Sequence, residues 1–196
     1  MLVTAPAPPT PSDEELLARY TAGDRDALEE LFQRYRLPAY RVAYRLLGKE
    51  ADALDATQEG FVKVLTHLGT FQGRSSFKTW LLRVVSNAAL DLGRQRGRRE
   101  AVHLDTRAAG DGENGQPLAT DDPTAGLERA DLRRLLDEAL ATLPEAQRRT
   151  FVLHADAELS YREVAEVLGI SIGTVMSRLF YARQKLRDYL TQRMKS

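Results

Sequence analysis

Apolar positions along this chain recur with the helical period, and no stretch alternates convincingly in steps of two. Ser12-Asp-Glu-Glu15 reads as a capping box that opens a short helix ending near Gly23. Asp24 caps a longer helix with Leu28, Leu31, Phe32 and Tyr35 on one stripe; Pro38 is placed to kink it and Gly48 to stop it. Asp52 is expected to cap a third helix running to about His67, and Ser75 or Ser76 a fourth over 77–97. Across 100–126 the periodicity gives way to Gly, Asp, Ala and Thr, a stretch too long for an ordinary loop inside a domain. It resumes near Leu127, with Pro144 opening a further helix, and holds to the end. The predicted fold is all-α: two small helical domains, residues 12–99 and 127–196, joined by a flexible acidic linker (100–126) behind a disordered leader (1–11).

Composition narrows the function. No apolar run approaches the length of a membrane span, and the Pro- and Ala-rich start lacks the parts of a signal peptide, so a cytoplasmic location without membrane insertion is expected. The absence of cysteine excludes thiol chemistry and a disulfide scaffold. His67, His103 and His154 are scattered singly, so no metal and no cofactor is expected. The formal net charge of +0 conceals strong segregation. Residues 63–99 carry 8 basic and 1 acidic side chains, and 171–196 carry 6 and 1, while 100–140 carry 4 and 10. Two basic blocks around an acidic middle point to two separate contacts with a polyanion, although solvated helix faces would also produce them.

Both blocks coincide with motifs. In 161–175, YREVAEVLGISIGTV, Ser160 caps a short helix that turns Val164, Ala165 and Leu168 inward, and Gly169 supplies a left-handed turn. Ser171 caps the next helix, whose inward positions are Val175, Leu179, Ala182 and Leu186. That is the pattern of a helix-turn-helix whose second helix enters the major groove, where an ordinary helical hairpin is the bland alternative. Its outward residues include Ser171, Thr174, Ser177, Arg178, Phe180 and Arg183, hydroxyls and guanidinia suited to phosphates and base edges.

The fourth predicted helix turns Phe77, Trp80, Leu81, Val84, Val85, Ala88 and Leu92 inward, and carries Arg83, Asn87, Asp91, Arg94 and Arg98 on another face. It ends in RQRGRR, more arginine than a helix C-terminus needs for its dipole. The preceding loop holds Phe71, Arg74, Ser75 and Ser76, able to stack on an unpaired base and bond its edge. On the third helix Asp52, Asp55 and Glu59 share a face with Gln58 beside them, while Phe61, Val62 and Leu65 point elsewhere. These carboxylates read as a helix start favoured by the dipole or as a docking face for a basic partner.

Together these stretches resemble the extracytoplasmic-function (group 4) sigma factors of bacterial RNA polymerase, in the sigma-70 superfamily. The resemblance lies in FQRYRLPAYRVAYRLLG, DALDATQEGFVKVL, FQGRSSFKTWLLRVVSNAALDLGRQRGRR and LPEAQRRTFVLHADAELSYREVAEVLGISIGTVMSRLFYARQKLR. It implies that Asp52, Asp55, Gln58, Glu59 and Phe61 dock on the clamp coiled coil of the largest polymerase subunit. It implies that Phe71, Arg74, Ser75, Ser76, Asn87, Asp91, Arg94 and Arg98 meet the −10 promoter element, which is melted there. The helix-turn-helix residues Ser171, Thr174, Ser177, Arg178, Phe180 and Arg183 would read the −35 element. An anti-sigma factor would be a further partner. Such a protein is not an enzyme. Relatives often carry a basic residue where this chain has Met176, and another where it has Tyr181. The competing readings are a stand-alone helix-turn-helix regulator and a helical hydrolase with a metal at Asp52, Asp55 and Glu59.

Overall fold

The computed structural model describes residues 10–104 and 123–193. Regular structure within them is helical throughout: α1 (Asp13–Thr21), α2 (Arg25–Leu47), α3 (Glu50–His67), a 3-10 turn (Leu68–Thr70), α4 (Phe77–Leu104), α5 (Pro123–Ala141), α6 (Glu145–Ala155), α7 (Tyr161–Leu168) and α8 (Ile172–Arg193). The chain divides into two compact units, 1–37 and 38–196, with the boundary at Pro38 inside α2. Proline has no N–H to donate, yet α2 runs on through it.

In the first unit the capping box forms as its sequence demands: the Glu15 N–H donates to Ser12 Oγ, and the Ser12 N–H donates to Glu15 Oε2 at 2.7 Å. Arg34 closes the start of α1 by donating to Asp13 Oδ1 at 2.6 Å and to the Pro11 carbonyl at 2.8 Å. Leu16, Ala27 and Leu31 are fully buried.

The second unit holds the rest. α3 lies so close to α4 that a Cβ on Gly60 would sit 2.7 Å from Val85 Cγ2 and 3.0 Å from Val85 Cα. Farther along, Ala139, Leu140 and Leu143 from the α5 end pack with Ala182 and Leu186 of α8. Lys185 donates to the Thr142 carbonyl at 3.2 Å, satisfying an acceptor just beyond the α5 terminus. Among the described residues no single helix is long and apolar enough to cross a membrane.

Two expectations change. The third helix begins at Glu50 with Lys49 in the cap position, and Asp52 is a buried first-turn residue rather than the cap. The expected linker shrinks from both sides, because α4 extends to Leu104 and α5 starts at Pro123. Its centre, 105–122, and leader residues 1–9 lie outside the described residues. The two helical regions are also packed together, α4 against α7, within one compact unit. Leu82, Ser86 and Ala89 are buried too, positions outside the predicted stripe, and α4 packs against α3 as well as α7.

Candidate nucleic-acid interface

The helix-turn-helix is built as its sequence requires. Ser160 Oγ accepts the Glu163 N–H at 3.3 Å, and Glu163 Oε2 takes the Ser160 N–H at 2.9 Å, so α7 starts on a complete capping box. Gly169 ends it at φ 63°, a left-handed conformation that a Cβ would strain. The chain turns by 104° into α8, within the range of helix-turn-helix pairs. Ser171 Oγ accepts the Thr174 N–H at 3.1 Å, and Val175, Leu179, Ala182 and Leu186 face inward.

The outer face of α8 is less polar than its composition implies. Ser171 Oγ is taken up as the cap and bonds Thr174 Oγ1 at 2.9 Å, while Ser177 Oγ donates to the Thr174 carbonyl at 3.0 Å. Arg183 and Phe180 are exposed and Arg178 half-buried. Ile172, Met176, Phe180 and Tyr181 stand in solvent, with the last two rings edge to face at 5.4 Å.

At the other end, Ser76 starts α4 by accepting the Thr79 N–H at 3.1 Å. In the loop before it, Phe71 leans on Trp80 at 5.0 Å and on Phe77 at 6.0 Å, so the three rings form one cluster. Phe77 and Thr79 are buried, whereas Arg74, Ser76, Asn87, Asp91, Arg94 and Arg98 are exposed and Ser75 is half-buried. Three of these groups are engaged from the C-terminal helices. Arg149 on α6 donates to Asn87 Oδ1 at 2.5 Å and to Ser86 Oγ at 3.3 Å. Glu145 accepts from Arg94 at 3.1 Å, and Glu163 accepts from Thr79 Oγ1 at 2.9 Å. Burial and the neighbouring Arg94 and Arg83 charges hold the Arg149 guanidinium below the usual arginine range, with Glu145 opposing. Arg149 carried no expectation, since only the docked arrangement brings it to Asn87.

The five α3 residues do not form one face. Asp52 points inward and pairs with Arg96 of α4. Asp55 is exposed and lies 3.9 Å from the same guanidinium. Glu59 pairs with Lys63 at 2.6 Å, Gln58 is exposed and Phe61 half-buried. Asp52 and Asp55 share a guanidinium while Glu59 pairs elsewhere, and among the described residues no three such side chains are grouped to hold a metal ion, so the metal-site reading loses its geometry. Leu54, Val62 and Leu65 are 51, 55 and 45 % exposed beside Asp55 and Gln58, so the outer surface is acidic and apolar together. Spacing already carried that signal: 54, 58 and 65 share one helical stripe.

Residues 31–99 match the family Sigma-70 region 2, and residues 133–186 match Sigma-70, region 4. Over 190 residues the chain is 38% identical to the ECF RNA polymerase sigma factor SigE of Mycolicibacterium smegmatis, covering 93% of this chain and 70% of that protein. It is 31% identical to SigW of Bacillus subtilis over 172 residues, 86% of this chain and 91% of the relative. The chain belongs to the ECF sigma factors. This sigma factor also shares its fold with CnrH, solved in complex with the cytosolic domain of CnrY (TM-score 0.68, 27% identity, 92% of this chain and 97% of that one). A further match is the sigma factor RpoE of Bartonella quintana, solved with the anti-sigma factor NepR (TM-score 0.64, 24% identity, 83% and 98% covered). As a sigma factor, the chain is not an enzyme.

Proposed function

We propose that this sigma factor binds core RNA polymerase through the exposed side of α3 and directs it to promoters by two contacts with DNA. Leu54, Asp55, Gln58 and Glu59, with Val62 and Leu65, form the polymerase surface, docking on the clamp coiled coil of the largest subunit. Asp52 acts behind that surface, holding α3 to α4 through Arg96. Loop 71–76 and the α4 face bearing Asn87, Asp91, Arg94 and Arg98 take the −10 element. Extruding a base costs a few kcal/mol, which stacking and edge hydrogen bonds offset, and the Phe71–Trp80 cluster supplies aromatic surface for that stacking. The helix-turn-helix takes the −35 duplex, with Arg178 and Arg183 on phosphates. An anti-sigma factor is a further partner, as NepR is for RpoE in the complex solved for that protein.

The observation that supports this reading most directly is the presence of both regions in one chain, in order, each with its exposed basic face. The test is reconstitution. Purified chain and core polymerase, given fragmented genomic DNA, should initiate at a discrete set of promoters sharing −35 and −10 elements. A chain that binds duplex DNA alone but never associates with core would instead be a stand-alone regulator.

A further inference from the structure

On α8, Ile172, Met176 and Phe180 follow one another at four-residue intervals and are 46, 54 and 64 % exposed. Three solvent-facing apolar side chains in register form a row along one side of the helix. Met176 and Phe180 also line an open groove of about 520 Å³ with Tyr161 from the start of α7 and Arg183 and Arg187 from α8. The hydroxyls nearest this row have little left to offer a base, since Ser171 and Ser177 bond within the helix itself. Within that groove the row lies beside two cations, Arg183 and Arg187, and a single acid, Asp188.

An apolar row beside cations is matched by one feature of the major groove. Base edges there present hydrogen-bond donors and acceptors, and only thymine adds an apolar group, its C5-methyl. The cations suit the adjacent phosphates. An apolar protein helix would cover the row equally well but would leave those cations facing a partner without matching charge.

We propose that Met176 determines promoter sequence by packing on the C5-methyl of a thymine in the upstream duplex element, with Ile172 and Phe180 extending the apolar row. This rests on the assignment of the helix-turn-helix to −35 DNA and names the base feature it reads.

The experiment uses holoenzyme assembled from the full chain and core polymerase. A promoter library randomised across the upstream element is first selected by binding. The selected duplex is then resynthesised with deoxyuridine replacing each thymine in turn, which removes the methyl and keeps every hydrogen-bonding group. At one thymine, binding should fall roughly four-fold, the worth of one buried methyl. In Met176→Ala holoenzyme the thymine and deoxyuridine promoters should bind alike, whereas Ser177→Ala should keep the difference. Met176→Arg should shift selection at that position toward guanine, whose O6 and N7 accept a guanidinium fork. Met176 is exposed, so these variants should melt with the parent; Met176→Gln is a second variant without the apolar terminus. A selected element lacking thymine, or a deoxyuridine penalty that survives Met176→Ala, overturns the proposal and leaves the promoter reading intact. Unchanged selection by every Met176 variant makes the row a protein-binding surface and overturns it too. Initiation with no enrichment upstream would instead remove the −35 assignment itself.

Discussion

Single side chains in this sigma factor divide between holding the fold and facing partners, and the pair Asp52–Arg96 shows how burial separates the two. Asp52 is 3 % exposed, while the Arg96 side chain keeps 38 % of its surface. Removing either partner breaks one ion pair, but the consequences differ. Arg96→Ala strands a buried carboxylate, for which about 3 kcal/mol of destabilisation is expected. Asp52→Ala releases a guanidinium already near water and should cost appreciably less. Urea unfolding of the two variants should place Arg96→Ala at the lower midpoint; the reverse order would show that Asp52 is solvated. Glu163 provides a pH test. Burial pushes its carboxyl pKa up, but hydrogen bonds from Ser160 and Thr79, with Lys78 nearby, leave it below the usual glutamate value. A carboxylate depressed in the folded state contributes stability that is complete above its unfolded pKa and lost as pH falls through the folded one. Glu163→Ala should therefore be less stable than the parent by about 1 kcal/mol at neutral pH, the value of a cap. The gap should stay level from about pH 8 to pH 5.5 and close below about pH 4, measured by thermal melts across that range.

Whole helices obey the spacing of their side chains more faithfully than their ends do. The stripes Val175–Leu179–Ala182–Leu186 and Phe77–Leu81–Val85–Ala88 were legible because one buried face at a 3.6-residue period leaves an unambiguous record. The Ser12 and Ser160 caps were legible because the hydroxyl and the glutamate three residues on satisfy each other locally. The Asp52 cap was not: an acidic residue in a first turn reads the same whether it caps the helix or faces a distant arginine, and Arg96 lies on another helix. Close helix approach is equally silent in sequence until a glycine is seen against its neighbour. Gly60 meets the Val85 backbone, so Gly60→Ala should destabilise by about 1–3 kcal/mol as α3 is pushed off α4. Gly97 in α4 has nothing within 4 Å of its missing Cβ. Gly97→Ala should thus stabilise by about 0.5–1 kcal/mol through helix propensity alone. Denaturant melts of the pair decide this, and opposite signs are required.

At the scale of the molecule, polar contacts join regions 2 and 4, and two of them use the α4 face proposed for the −10 element. Arg149 occupies the Asn87 side-chain carbonyl, Glu145 occupies Arg94, and Glu163 occupies Thr79. Arg45 of α2 adds ion pairs to Asp137 and Asp156. The arrangement is costly to hold: the Arg149 Nε is buried and has no hydrogen-bond partner among the described residues, and burial lowers the pKa of its guanidinium. An incompletely satisfied buried cation lowers the cost of separating the regions, so a partner that takes up either surface is expected to release them. The chain contains no cysteine, so distance labels go where they are placed. With labels at exposed Gln95 and Glu166, the parent should give one short inter-label distance, and Arg149→Ala combined with Glu145→Ala should broaden it to longer values. Both substitutions lie in region 4 and leave α4 untouched, so the free double variant should also bind a single-stranded −10 oligonucleotide more tightly than the parent. Core polymerase added to the parent should lengthen the same distance. An unchanged distance in the double variant would mean that apolar packing and the remaining contacts with Arg45 and Glu163 hold the regions together without Arg149.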